Sequence, residues 1–165
     1  MEDIATMGAA VGALLKRCGQ SVSVAESSSG GMISAALLAQ PGASAYFKGG
    51  GVVYTGVSKN LLMSLSEAEM VANRAATEPH ALSLAAAARK RLDADWGIGE
   101  TGAAGPSGNR YGDPPGHTCI GISGPVNRTV TVETGSDGRV DNMAAFTSAA
   151  LALLRDCVEE AMASS

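Results

Sequence analysis

The 165-residue sequence is poor in aromatic side chains and in cysteine, and it contains no long apolar run. Only 4% of the residues are Phe, Trp or Tyr, so a core must be built from small and aliphatic side chains. The three cysteines form no C-x-x-C pair, which is typical of reduced thiols in a cytosolic protein. No stretch is long and apolar enough to span a bilayer, and the acidic start Met1-Glu2-Asp3 is unlike a basic export signal. We therefore expect a cytoplasmic protein.

The charge and histidine content exclude two further classes. A net charge of −4 without any basic run gives no electrostatic footprint for a nucleic acid. His80 and His117 lie far apart and share no ligand spacing with the cysteines, so we expect no metal site. The length fits a single domain over residues 1–165 with a sizeable core.

Helical and strand patterns alternate along the chain, and a hairpin follows near its end. The hydrophobic spacing and turn residues predict helices over 4–17, 32–39, 59–72 (one or two short ones), 77–92 and 142–163. They predict strands over 21–25, 52–54, 95–101, 117–123 and 128–133. This order favours an α/β fold, a single three-layer domain with a mixed β-sheet flanked by helices. The Gly/Pro-rich loop 102–115 is too long to be a mere connector.

Three serines and two glycines, residues 27–31 (SSSGG), connect the first predicted strand to the next helix. One serine could simply cap that helix. Alternatively, Gly30 and Gly31 could leave backbone N–H groups free for a phosphate or an oxyanion, while a serine attacks a substrate. The turn matches neither the P-loop pattern nor G-x-S-x-G, so the sequence alone leaves these alternatives open.

Two other segments carry candidate chemistry. Residues 97–102 (GIGETG) match G-x-G-x-x-G, but the glycines fall within a predicted strand and no helix follows, which excludes a dinucleotide fingerprint. Lys59 follows another predicted strand. A lysine there is usually solvated, but a buried one has a lowered pKa and its neutral amine could take a proton from a serine.

Five motifs together resemble one known family. They are AESSSGG at 25–31 (family A-E-S-C-T-G-G), PGASAYF at 41–47 (P-G-S-S-x-x-F), VYT at 53–55 with Lys59 (T-Y-S-N-x-x-K), TGAAGP at 101–106 (T-G-I-A-G-P) and PGHT at 115–118 (P-V-G-T). They cover most of the chain in order, and on them the sequence resembles the C-terminal domain of the competence-damage-inducible protein CinA.

The resemblance implies an amidohydrolase that converts nicotinamide mononucleotide to nicotinate mononucleotide and ammonia. By position, Ser27 matches the nucleophile and Lys59 its general base, and neither a cofactor nor a metal is implied. Family members resembling this chain are often dimers. The positions that match substrate-binding parts of the family motifs are Ser29, Gly30, Gly31, Tyr54, Thr101, Gly102 and Gly105.

The sequence departs from the family pattern at several positions. Ser28 replaces a cysteine, and Gly56 stands where asparagine is common. At the start of the last helix, Asp141 or Asn142 replaces an arginine suited to a substrate phosphate, and Arg139 could take over its role. The alternatives are therefore a nucleotide-binding module without turnover, or a small-amide hydrolase of shifted specificity.

Overall fold

The computed structural model describes residues 3–165, so Met1 and Glu2 of the acidic start lie outside it. Strands and helices alternate along these residues. The elements are α1 (Ile4–Cys18), β1 (Val22–Glu26), α2 (Met32–Leu38), β2 (Phe47–Val52), α3 (Gly56–Met63), α4 (Glu67–Ala72), α5 (Glu78–Arg91), β3 (Trp96–Ala103), β4 (His117–Ser123), β5 (Arg128–Glu133) and α6 (Arg139–Ala163). Among residues 3–165, no helix is both long and apolar enough to cross a membrane.

The five strands form one mixed sheet in the order β2-β1-β3-β4-β5. Strand β1 pairs in parallel with both β2 and β3, whereas β4 and β5 continue the sheet in antiparallel fashion. In this register Glu26 lies between Val52 and Glu100. The three parallel strands therefore end at one edge, where open α/β sheets bind their ligands.

Helices cover both faces of the sheet, which confirms the predicted three-layer α/β fold. Helices α1, α2 and α6 pack on one face around the main apolar core. Helix α5, with α3 beside it, packs on the other face around a smaller cluster. The large aromatic side chains of Trp96, Tyr46 and Phe146 are all fully buried and belong to the interior.

Glycines on one face of the sheet let α5 approach the strands closely. A Cβ added at Gly97 or Gly99 of β3 would overlap a carbonyl oxygen of α5, that of Ala85 or Ala81. This packing explains the G-x-G pattern of the sequence, and both glycines lie within a strand as predicted. Their role is to bring a helix close to the sheet.

The largest departure from the predicted elements is at β2. The strand occupies Phe47–Val52 instead of the predicted 52–54. The prediction missed it because the three consecutive glycines at 49–51 show no alternation of apolar and polar side chains. Helix α3 begins at Gly56, before the predicted start, because Thr55 and Ser58 form a capping box. Helix α6 likewise begins earlier than predicted, at Arg139.

The close packing of α5 on β3 predicts the effect of one added methyl group. Gly99→Ala places a Cβ against the backbone of α5, so we expect it to lower the free energy of unfolding by about 1–3 kcal/mol. Gly56→Ala is the matched control, because its Cβ would meet nothing nearer than the Met70 sulfur at 3.8 Å. Urea unfolding of both variants checks this, and equal stability of the two would contradict it.

Candidate active site

The carboxyl ends of β1, β2 and β3 bring the main candidate segments to one edge of the sheet. Ser27 follows β1, Tyr54 lies two residues after β2, and Thr101 lies in β3 just beyond the part that pairs with β1. The strand register sets this arrangement, since Glu26, Val52 and Glu100 stand side by side. Segments far apart in the sequence therefore leave the sheet at the same level.

A buried carboxylate on β3 holds the serine turn. One oxygen of Glu100 accepts the backbone N–H groups of Ser27 and Ser29, each at 3.0 Å. Its other oxygen accepts the hydroxyl of Ser28 and, at 3.0 Å, that of Thr118 on β4. Glu100 has no exposed surface, so these donors replace the water that a carboxylate would otherwise bind.

A second buried carboxylate, Glu26 at the end of β1, caps helix α2. It accepts the N–H groups of Ile33 at 3.1 Å and Ser34 at 2.9 Å, and the hydroxyl of Ser29 lies 2.7 Å from it. The capping residue Gly31 contributes no side chain. The alternative that a serine caps this helix is therefore wrong, because the carboxylate of the preceding strand already occupies those donors.

These contacts distinguish the three serine hydroxyls. The hydroxyl of Ser28 is bonded to Glu100, and that of Ser29 lies between Glu26 and Glu100. Within residues 3–165, the hydroxyl of Ser27 has no hydrogen-bond partner, and Ser27 is 6% exposed. Of the three, Ser27 has the hydroxyl that is available to react.

The backbone of the turn offers two unused N–H groups. The N–H of Gly30 donates to the carbonyl of Ser27 at 3.1 Å, so the expectation of a free N–H there is wrong. In the described part of the chain, the N–H groups of Ser28 and Gly31 have no such partner. Gly30 and Gly31 both have positive φ angles, 68° and 97°, a conformation that favours glycine.

Lys59 is buried, in contrast to the usual solvated lysine. It lies in α3 and is only 6% exposed. Burial lowers the pKa of its amine, and the negative charge of Glu100 partly offsets this. No hydrogen bond joins Lys59 to Ser27 within residues 3–165, so their direct proton transfer stays a prediction.

His80 adds a neutral base beside Lys59 that the sequence did not single out. It is buried in the first turn of α5, where the Thr77 side chain caps the helix. Its Nδ1 lies 2.8 Å from the carbonyl oxygen of Asn73 and must therefore carry the hydrogen. Its buried Nε2 has no partner among residues 3–165. Burial and the charge of Lys59 lower the pKa of His80, which keeps the ring neutral.

Arg139 connects two of the predicted substrate-binding positions. As the first residue of α6, it donates to the carbonyl oxygen of Gly105 at 2.5 Å and to the hydroxyl of Tyr54 at 3.3 Å. The guanidinium thus reaches Gly105 of the Gly/Pro-rich loop, and its role in phosphate binding stays a prediction. Asn142 is buried instead, and its amide donates to the carbonyl oxygens of Ala104 and Ser136.

The other predicted substrate-binding residues make structural contacts. The hydroxyl of Thr101 accepts the N–H of Ala76 at 2.9 Å. A Cβ at Gly102 would overlap the His117 carbonyl oxygen on β4, so this glycine permits close pairing of the strands. Ser29 is fully buried against the two carboxylates. Direct contact of these residues with a ligand stays a prediction.

His117 of β4 contacts both β5 and the loop before α5 through its two ring nitrogens. Nδ1 lies 2.5 Å from a carboxylate oxygen of Glu133, and Nε2 lies 2.9 Å from the carbonyl oxygen of Ala76. Both partners accept hydrogen bonds, so the charged ring suits this place. Burial opposes the charge, but the hydrogen bonds to Glu133 and Ala76 outweigh it and raise the pKa of His117. The adjoining loop is anchored by an ion pair of 2.8 Å between Arg74 and Asp113.

Comparison with known proteins gives a consistent family match. The family model of the CinA C-terminal domain matches residues 4–158. A CinA-like protein from Gloeobacter violaceus is 40% identical over 152 residues, which make up 91% of this chain and 36% of that protein. A CinA-like protein from Synechocystis is 39% identical over 124 residues, 75% of this chain and 30% of that protein. The chain thus spans about a third of the length of these relatives.

Solved structures share the fold over nearly the whole chain. The competence/damage inducible protein CihA from Agrobacterium tumefaciens has a TM-score of 0.86 and 27% identity, covering 95% of this chain and 96% of its own. A CinA superfamily protein from Escherichia coli has a TM-score of 0.84 and 28% identity, covering 93% and 91%. The mixed sheet with helices on both faces is therefore the fold of that superfamily.

The raised pKa of His117 predicts a pH-dependent contribution to stability. The contribution should be fully present below about pH 6.5, the ordinary pKa of histidine, and should be lost as the pH rises through the raised folded pKa. His117→Asn removes it. We expect the difference in melting temperature between the native chain and this variant to shrink from about pH 6 to about pH 9. A constant difference would contradict the prediction, and the titration of His80 cancels because both chains contain it.

Proposed function

We propose, from the premise that the chain belongs to the CinA C-terminal domain family, that it hydrolyses the carboxamide of nicotinamide mononucleotide to nicotinate mononucleotide and ammonia. One observation carries this proposal. Of the three hydroxyls in the serine turn, only that of Ser27 has no hydrogen bond in residues 3–165. The amine of Lys59 is buried, and the charge of Glu100, the carboxylate that binds the backbone of this turn, acts on it. A free hydroxyl and a desolvated amine are the two groups that a Ser–Lys amidase needs.

The reaction follows from the ionisation of these groups. The hydroxyl oxygen of Ser27 attacks the carboxamide carbon while neutral Lys59 accepts its proton. The ammonium of Lys59 then protonates the leaving nitrogen, and ammonia departs from the acyl-enzyme. Water attacks the ester, Lys59 takes a proton from it, and the serine hydroxyl is restored. Burial supports this route because it lowers the pKa of Lys59 toward the range of a useful base.

The tetrahedral intermediates need donors for their negative oxygen. The N–H groups of Ser28 and Gly31 are unused within the described part of the turn; Ser28 follows Ser27 directly, and Gly31 ends the same turn. We assign them this role, because preformed backbone donors stabilise an oxyanion without reorganisation.

Arg139 supplies the group for the substrate phosphate. Its contacts with Gly105 and Tyr54 engage two of the five N–H donors of a guanidinium. The remaining donors can bind phosphate oxygens with charge-assisted hydrogen bonds. Tyr54 is 58% exposed and stands beside them at the mouth of the site.

The proposal includes a homodimer, as the family resemblance implies, and a single cytoplasmic domain, as expected from the length and composition of the sequence. Strand β2 is an edge of the sheet, and α3, which follows it, exposes the apolar side chains of Val57, Leu61 and Leu62. An apolar surface next to a strand edge suits contact with a second copy.

Ammonia release from nicotinamide mononucleotide tests the proposed activity. We expect Ser27→Ala to abolish release, because the covalent route is lost. Lys59→Met should lower the rate by about 10²–10⁴-fold, the usual contribution of a general base. Ser83→Ala and Lys90→Ala change the same residue types on α5 and serve as controls. If Ser27→Ala keeps the native rate, the proposed nucleophile is wrong. Binding of the nucleotide without ammonia release would instead favour a nucleotide-binding module without turnover. Ammonia release from other small amides would favour a hydrolase of shifted specificity.

Replacement of Arg139 tests phosphate recognition. Arg139→Ala removes binding energy that is equal in the ground state and the transition state, so KM should rise by about 10-fold or more with kcat nearly unchanged. Arg128→Ala is the control, because Arg128 pairs with Glu160 on the surface. An unchanged KM in Arg139→Ala would remove Arg139 from the site.

A further inference from the structure

Glu100 of β3 accepts more hydrogen bonds than a carboxylate needs merely to stabilise a strand. It is fully buried and receives donors from two segments, the serine turn and Thr118 on β4. An ionised carboxylate is costly to bury unless hydrogen bonds replace its hydration. The donors from these two segments supply those hydrogen bonds.

The chemistry of a carboxylate decides where the neighbouring hydroxyl hydrogens point. An ionised carboxylate only accepts, and each hydroxyl has one hydrogen to donate. Ser28 therefore directs its hydrogen at Glu100. Ser29 lies 2.7 Å from Glu26 and 3.0 Å from Glu100, so its hydrogen is taken by a carboxylate in either arrangement. Glu100 engages Ser27 only through the backbone N–H, which leaves that hydroxyl free.

The negative charge of Glu100 on β3 also raises the pKa of the Lys59 amine on α3, which burial lowers. The neutral His80 on α5 is likewise coupled to this amine. The carboxylate that fixes the backbone of Ser27 thus also tunes the ionisation of the proposed base.

We propose that Glu100 is a positioning residue that makes Ser27, among three adjacent serines, the nucleophile. This deepens the proposed function and rests on it only in that Ser27 acts as a nucleophile. It does not depend on which amide is the natural substrate.

A fluorophosphonate, which labels activated serines, tests the proposal without the substrate. The serine oxygen forms a bond to phosphorus, the phosphorus–fluorine bond breaks, fluoride leaves, and Lys59 takes the serine proton. Peptide mapping by mass spectrometry identifies the labelled residue. We expect the native chain to be labelled at Ser27 alone. Ser27→Ala should stay unlabelled, because the hydroxyls of Ser28 and Ser29 remain bound.

The variant Glu100→Gln should change both the rate and the site of labelling. Glutamine offers one accepting oxygen where the carboxylate offers two, so the turn loses acceptors. We expect labelling of Ser27 to slow by about 10²-fold, as for a nucleophile displaced by about 1 Å, and Ser28 or Ser29 to become labelled. Glu78→Gln is the matched control. It alters another glutamate that accepts two hydroxyls, those of Thr129 and Thr131, but does not contact the serine turn, so Ser27 should remain the labelled residue at the native rate.

The pH dependence of labelling separates positioning from a purely structural role. Labelling needs the neutral amine of Lys59, so its rate falls on the acid side. Removal of the negative charge of Glu100 lowers the pKa of Lys59 further, and this acid limb should move to lower pH in Glu100→Gln. A variant that only lost stability would keep the acid-side fall of the labelling rate at the same pH as the native chain.

The outcomes are distinguishable. The proposal is overturned if Ser27→Ala is labelled rapidly at Ser28 or Ser29, or if Glu100→Gln keeps selective labelling and an unmoved acid limb. It is also overturned if the native chain is not labelled at Ser27. If Glu100→Gln does not fold, the Ser27→Ala result still decides. Selective labelling at Ser27 without ammonia release from nicotinamide mononucleotide would uphold the role of Glu100 and contradict only the proposed substrate.

Discussion

Two carboxylates buried side by side, Glu26 at the end of β1 and Glu100 within β3, organise the candidate site. Glu26 binds the first N–H groups of α2, and Glu100 binds the backbone of the serine turn. Parallel pairing places them next to each other, and their hydrogen bonds replace the water that each would lose on folding. The path of the chain from strand to helix is therefore determined by acceptors beneath it. The hydroxyl of Ser27 is the one that these acceptors leave unbonded.

The sequence predicted the layers and most elements. It could not show which serine hydroxyl is free, because that depends on Glu100, which comes from a distant strand. The burial of Lys59 was equally hidden, since it arises from packing and not from spacing. The error at β2 has a local cause, because the consecutive glycines at 49–51 show no alternation of apolar and polar residues.

The two histidines show how far tertiary context decides chemistry. Nothing in the sequence pattern distinguishes the chemistry of His80 from that of His117. The structure places His117 between two acceptors, which favour its charged form, whereas His80 is buried and coupled to a lysine, which favours its neutral form. Their pKa values are shifted in opposite directions. The ring of His117 bonds the loop at Ala76 to the sheet, and the ring of His80 has a buried Nε2 without a hydrogen-bond partner among residues 3–165.

The burial of Lys59 connects catalytic competence with local packing. Helix α3 rests on the smaller of the two apolar clusters, in which Met63 and Leu65 contact α5. Segments held by few apolar contacts open before the whole domain unfolds. Water that enters during such an opening restores hydration to the amine, and the pKa of Lys59 then rises toward its ordinary value. The pKa of one lysine thus reports whether this corner of the molecule is closed, while the sheet and the main core stay intact.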